Sequence, residues 1–415
     1  MSLYEYERTG DAQALIGVLD RSENAEIRAR AASLLGQLED HDDRDDMVRA
    51  LVRAAEEDDA DQVTAAAIDA LDTLGQDAIE TLIASMADVD LEEGAGWVKA
   101  KAFTGALAAD VPELRMAAAN ALGELGQSDT VGALADRFDD PDPRVRARAA
   151  RACGKIADAR ATDALTGLLG DPKAAVRREA AEALGAIGNR QALQALLQLY
   201  DDDSEVVRRI AVMGFGSFEN DRPVEHLVTA LGDESPAVRR TAVYSLIQLL
   251  SNVPSDRSHE MREQVLDRLS ASDDETVVGP LVDILTESTQ DAQRRNTAWL
   301  LGRAVDPETV ETRRQVVDAL VEALLVDDQM TRQFAATSLA EVGRSYAEAE
   351  LLEVAQDEGV ATGARAQAVF TLGKIGGEET RQALENLLEA TDEDAIRQKA
   401  FTAISKLGGS AGVGP

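Results

Sequence analysis

Arginine is the residue type whose spacing first suggests chemistry. Arg115, Arg146, Arg177, Arg208 and Arg239 follow one another at intervals of 31 residues. A ladder of planar guanidinium groups suits carboxylates or phosphates, because each presents a rigid fork of N–H donors. Four of these arginines also have an aspartate six residues earlier, at Asp140, Asp171, Asp202 and Asp233. The simplest use of the ladder is therefore internal, with guanidiniums and turn aspartates pairing along the stack to tie one unit to the next. A second series, Arg178, Arg209, Arg240 and Arg295, stands one residue later, on a different helical face.

Five residues after each register arginine the residue type changes along the chain. Ser33, Asn120, Arg151 and Glu182 occupy this position early, and Met213, Tyr244, Trp299 and Phe370 occupy it later. Offsets of one and five lie a helical turn apart, so Arg209 is expected beside Met213, Arg240 beside Tyr244 and Arg295 beside Trp299. Arginine and aromatic side chains are the types that dominate interface hot spots. Arg209, Met213, Arg240, Tyr244, Arg295, Trp299 and Phe370 are thus the candidate partner-binding residues. Two outcomes stay open for this ridge: a solvent-facing contact surface, or local core covered by nearby irregular segments.

Catalytic and metal-binding patterns are not found. Cys153, the sole cysteine, falls seven residues after Arg146, where Leu184 stands in the next copy, so it reads as a buried small hydrophobe. His41, His226 and His259 are scattered, and no zinc-like Cys/His spacing exists. GFGSFE, from Gly214, lacks the third glycine and the strand of a dinucleotide fingerprint, and LGKIGG around Lys374 lacks phosphate-loop spacing. No Ser-His-Asp constellation is identifiable. The expectation is a protein that is not an enzyme and holds no cofactor or metal.

Charge bounds the partners. Acidic residues number 77 against 42 basic ones, a formal charge of −35, which opposes nucleic-acid binding. Hydrophobic residues still make up 45% of the chain and recur periodically, so a large core can be buried. Only seven of the 42 basic residues are lysine. Acid excess with lysine depletion resembles a salt-in halophile proteome. At about 1 M salt the Debye length is about 3 Å, so contact chemistry rather than long-range steering must decide specificity. MSLYEYERTG lacks the features of a signal peptide, and no apolar run approaches the roughly 20 residues that span a bilayer. The expectation is a cytoplasmic protein with no membrane insertion.

The elements that must position these residues are stacked helix pairs. Weaker copies of the repeat lie around Arg28, Thr64, Arg294, Arg332, Arg365 and Arg397. Each unit reads as a first helix, a turn with aspartate and often proline, and a second helix ending near glycine. The turn aspartate is expected to cap the second helix. In that helix Val145, Val176, Val207 and Val238 precede the arginine, and Ala149, Ala180, Ala211 and Ala242 follow three residues after it, forming one apolar face.

The phrase DP-x-x-x-VR-x-x-A-x-x-ALG, seen from Asp171 to Gly185, resembles the HEAT-like repeat named after phycobilin lyase subunits. The resemblance covers nearly the whole chain and implies an all-α fold, an α-solenoid of stacked antiparallel helix pairs. In such stacks the second helices line the concave inner surface, which would place the ridge where partners bind. One continuous array over residues 1–407 is expected, with irregular insertions near 88–110 and 251–276 and a disordered tail over 408–415. An extra helix is expected near Trp97 to Leu107, and SNVPSDRSHE reads as a loop.

The leading functional expectation is a non-enzymatic scaffold or adaptor gripping a protein partner. Acidic composition, the MSLYE start and the repeats together resemble the archaeal taxis adaptors that couple chemotaxis regulators to the swimming motor. The alternatives are a bilin lyase-like chaperone or enzyme and a HEAT-like DNA-binding protein. HEAT-like di-iron hydroxylases use several His-Glu pairs, whereas only His259-Glu260 matches here.

Overall fold

Alanine and leucine at helical spacing, with charged residues between them, leave this chain few options besides helix. The computed structural model describes residues 3–38, 41–87, 96–218, 222–252, 258–270, 274–303, 310–342 and 347–408, and these contain helices and no strand. The chain forms two compact units, residues 1–199 and 200–415.

The first unit holds α1 (Leu3–Thr9), α2 (Ala12–Arg21), α3 (Ala25–Leu35), α4 (Arg44–Glu57), α5 (Asp61–Leu74), α6 (Gln76–Ala87), α7 (Gly96–Ala106), α8 (Pro112–Leu125), α9 (Val131–Ala135), α10 (Pro143–Ile156), α11 (Thr162–Leu168), α12 (Ala174–Ile187) and α13 (Arg190–Leu196). The second holds α14 (Glu205–Phe215), α15 (Val224–Ala230), α16 (Pro236–Asn252), α17 (Ser258–Leu269), α18 (Asp274–Glu287), α19 (Asp291–Leu301), α20 (Val310–Glu322), α21 (Gln329–Val342), α22 (Glu348–Gln356), α23 (Thr362–Ile375), α24 (Glu378–Ala390) and α25 (Asp394–Gly408). The register arginine, or Thr64 in its place, lies on α3, α5, α8, α10, α12, α14, α16, α19, α21, α23 and α25, the second helices.

Within each unit consecutive second helices pack on one another, and glycine sets how closely. Eight residues after the register arginine stands Gly36, Gly123 or Gly154 in the first unit, and Gly216, Gly302 or Gly373 in the second. A Cβ added at Gly154 would lie 2.8 Å from the Cα of Ala183, and one at Gly373 would lie 2.8 Å from the Cα of Ala403. The partner is always the small residue six after the next register position. Ser338 and Thr371 fill that position too, and their hydroxyls donate to the carbonyls of Ala298 (2.6 Å) and Ala336 (3.2 Å) on the preceding second helix.

The two breaks in the register are additional helices. α7 covers the stretch expected as an extra helix around Trp97, and it packs on α8. In the second break α16 runs on to Asn252 and α17 then buries Met261, Val265 and Leu269, so the insertion near 251–276 holds a packed helix whose start, Ser258, falls within the stretch SNVPSDRSHE expected as a loop. Residues 253–257 of SNVPSDRSHE, and 409–415 of the expected tail, lie outside the described residues, while Gly408 still belongs to α25.

Candidate functional site

The register arginines are structural, as their shared repeat with aspartate implied. Arg146 donates from Nε and Nη2 to the two carboxylate oxygens of Asp171 (2.7 and 3.1 Å) and from Nη1 to the carbonyl of Asp140 (2.8 Å). Arg115 repeats this with Asp140 (2.8 and 2.9 Å), Arg208 with Asp233 (2.8 and 3.0 Å), and Arg28 with Asp58 (2.7 and 2.8 Å). Each fork binds its own turn and the next turn together.

The turn aspartate does not act as the helix cap expected of it. Asp140 accepts from the backbone N–H of Asp142 (2.9 Å), Asp171 from that of Lys173 (2.7 Å) and Asp233 from that of Ser235 (2.8 Å), closing a turn before the helix starts. At α10 the cap is Asp142, which accepts from the N–H of Arg144. The reason is geometric: a carboxylate two residues ahead of the cap position is already committed to its own turn and to the preceding arginine. Burial pushes the Asp171 carboxyl up, but Arg146 and the Lys173 N–H more than offset this and hold it below the ordinary carboxylate range.

Cys153 is fully buried, and burial pushes its thiol up to about 12, so it is a core side chain. His226 stacks edge-on against Tyr200 and Phe215 at 5.2 and 6.2 Å between ring centroids. The side chains of His259 and Glu260 lie outside the described residues. Among those described, no group of histidine, cysteine and carboxylate side chains is arranged to hold a metal ion.

The outward row of the second helices differs sharply between the two units. In the first unit its charges satisfy one another. Arg151 donates to both oxygens of Glu179 (2.9 Å each), Arg178 pairs with the same carboxylate, Asn120 donates to Asp72 (2.9 Å), and Lys155 pairs with Glu124. Burial pushes Glu179 up, yet the two arginines bring it below its ordinary value.

In the second unit the same row carries the expected ridge, and it faces solvent. Arg209 and Arg240 are exposed and make no ion pair with any described residue. Met213 is 50% exposed and Tyr244 36%. The Tyr244 hydroxyl donates to Asp283 Oδ2 (2.9 Å), and partial burial together with that carboxylate pushes the phenol up to about 12. Arg295, Trp299 and Phe370 are half-buried. Arg295 is engaged with the carbonyl of Asp291 (3.2 Å) and lies 3.8 Å from Asp328. The local-core alternative therefore does not hold for Arg209, Met213, Arg240 and Tyr244.

Sequence spacing missed the cations that contact the rings. Arg303, not Arg295, lies over Trp299, 5.0 Å from the ring centroid. Phe370 is surrounded by Lys374, Lys399 and Lys406 at 4.7, 5.5 and 5.6 Å. Arg303 and Lys374 stand four residues after the aromatic, one helical turn further on, which was the available signal. Three of the chain's seven lysines thus converge on one ring, whose negative face attracts each ammonium group.

This architecture of paired helices, tied by arginine forks and small-residue contacts, defines a helical repeat protein. Residues 132–212, 194–278 and 317–405 match the HEAT repeat family, and the chain belongs to that family. It is 50% identical over 409 residues, 98% of its own length and 99% of the relative's, to a HEAT repeat-containing taxis protein of Halobacterium salinarum. Among solved structures, an engineered protein aligns over 96% of this chain and 98% of its own at 19% identity and a TM-score of 0.43. Human deoxyhypusine hydroxylase aligns over 75% of this chain and 96% of its own at 20% identity and a TM-score of 0.28. No described helix is long and apolar enough to cross a membrane.

Proposed function

We propose that this chain is a non-enzymatic taxis adaptor that binds a protein partner along the second-helix row of residues 200–415, linking chemotaxis signalling to the motility motor. The supporting observation is the contrast between the two units. In the first, the row spends its charges on internal pairs such as Arg151–Glu179. In the second it leaves Arg209, Met213, Arg240 and Tyr244 open to solvent beside the cation-flanked rings of Trp299 and Phe370. Guanidinium and aromatic groups mixed on one surface suit desolvated protein contact, and they need no long-range field to act in concentrated salt. The similarity to a HEAT repeat-containing taxis protein supports the taxis part of this reading.

The test is affinity capture from host lysate in native salt with the full chain and with Tyr244→Ala/Trp299→Ala. Truncating two such aromatics is expected to weaken capture at least tenfold, since a hot-spot side chain contributes about 2 kcal/mol. Undiminished capture by a variant with unchanged helical circular dichroism refutes the reading. Because Trp299 is half-buried, the exposed pair Arg209→Glu/Met213→Ala provides an independent arm with the same expectation.

A further inference from the structure

No described helix follows α25, the last second helix among the described residues, and the face it turns away from α23 is unusual. Four residues after the register arginine stands a side chain that in the ten preceding second helices, from Ala32 to Val369, is at most 2% exposed. It is the position whose carbonyl receives the hydroxyl of the next repeat in Ala298 and Ala336, so it faces the next second helix. On α25 this position is Phe401, and it is 69% exposed. A solenoid end normally carries a polar outer face. Here the largest apolar side chain found at this position stands in solvent.

A second vacancy accompanies it. Arg397 donates from Nη1 to the carbonyls of Leu388 and Thr391 (3.0 Å each), as the other register arginines do to their own turns. Its Nε and Nη2, the atoms that hold the following carboxylate in Arg28, Arg115, Arg146 and Arg208, take no partner among the described residues. Lys399 and Lys406 on the same helix lie over the Phe370 ring of α23 and add to the helix's positive charge rather than to this vacancy. With Asp394 its one acidic residue and Arg397, Lys399 and Lys406 its basic ones, α25 carries a net charge of +2 in a chain of −35.

We infer that this open end is a docking surface for a helical segment of another protein that brings a carboxylate to Arg397 and apolar side chains to Phe401. The chain's own junctions define that chemistry, and charge complementarity defines its sign. Ser405 stands where Gly154 and Gly373 allow close approach in the interior, so the docked helix sits farther out than a repeat would, and phenylalanine fills the extra distance. A second copy adding head to tail does not fit the aspartate junctions, because its first turn offers Ser22 where Asp58, Asp140, Asp171 and Asp233 receive the preceding arginine. Tail-to-tail pairing would oppose two helices of charge +2. Residues 409–415, GGSAGVGP from Gly408 onward, include no acidic side chain. Nucleic acid would meet a face of few cations on a strongly acidic chain, with no flat stack of open rings.

The inference stands on the end of the stack and not on the ridge, so its test separates the two. A fluorescein-labelled peptide copying residues 171–187, a turn carboxylate followed by a second helix, is titrated with the full chain and followed by anisotropy. Binding is expected to weaken at least about fivefold with Arg397→Gln, with Phe401→Ser, and with Asp171→Asn in the peptide, and to survive Tyr244→Ala/Trp299→Ala. Both substituted residues are exposed, and circular dichroism confirms the fold of each variant. No binding of the peptide, or equal binding by Arg397→Gln and Phe401→Ser, overturns the inference. So does a concentration-dependent dimer in sedimentation that Phe401→Ser abolishes, because a second copy would then be the occupant. Tighter binding of a labelled oligo-dT than of the peptide likewise overturns it.

Discussion

Replacing Arg146 with methionine isolates what the arginine ladder contributes. Methionine keeps much of the aliphatic stem's packing but removes the fork that holds both oxygens of Asp171 and the carbonyl of Asp140. The two side chains are 14% and 6% exposed, between the surface pairs that are worth under about 1 kcal/mol and the buried pairs whose breakage costs about 3 to 5. A loss of about 2 kcal/mol, roughly thirtyfold in the opening of the α10–α12 junction, is expected at neutral pH. The sign of the pH dependence follows from Asp171. Its folded value lies below the ordinary carboxylate range, so its stabilisation is present above about pH 3.9 and fades as pH falls through the folded value. In the variant, burial acts on Asp171 without the guanidinium, its carboxyl shifts upward, and acidification removes a charge that had been destabilising. The gap between wild type and variant therefore narrows from about pH 7 to about pH 3.5. Urea unfolding followed by circular dichroism at constant high salt measures it. A gap below about 0.5 kcal/mol at neutral pH, or one that does not change with pH, refutes the assignment of the ladder to stability.

Three further outcomes follow from the same junctions. Gly154→Ala gains up to about 1 kcal/mol in helix propensity but drives a Cβ to 2.8 Å from Ala183 Cα, a backbone contact that cannot yield, so net destabilisation of about 1 to 2 kcal/mol is expected in urea unfolding. Ala157 ends α10 in the left-handed conformation (φ 54°) where α8 and α12 use Gly126 and Gly188, so Ala157→Gly is expected to stabilise by about 1 kcal/mol, read as a higher urea midpoint. Cys153, buried and pushed up to about 12, is expected to resist a thiol reagent at about pH 8 in the native chain and to react fully in denaturant, and rapid native labelling would contradict its core placement.

The repeat made most of the fold legible. The spacing of Arg146, Arg177 and Arg208 located the second helices, and the shared aspartates correctly implied internal pairing for Arg115, Arg146 and Arg208. What spacing could not supply was which neighbour each group reaches. Asp171 serves the arginine of the preceding repeat and its own turn, and only the helix-to-helix approach set by Gly154 and Ala183 fixes that choice. On the ridge the offset rule placed Met213 and Tyr244 on one open row, but adjacency to Arg295 did not decide which cation covers the Trp299 ring. Arg295 is drawn to Asp291 and Asp328, leaving Arg303 to cover the ring. The gathering of Lys374, Lys399 and Lys406 around Phe370 crosses from α23 to α25, a three-dimensional contact that no single-helix periodicity encodes.

Hydrogen exchange of the full chain, alone and with the protein it retains in affinity capture, tests the central claim most directly. Partner binding along the ridge is expected to slow exchange in α14, α16, α19 and α23 while leaving the internally paired row of α5, α8, α10 and α12 unchanged. Protection confined to the first unit, or absent from all these helices, would contradict it.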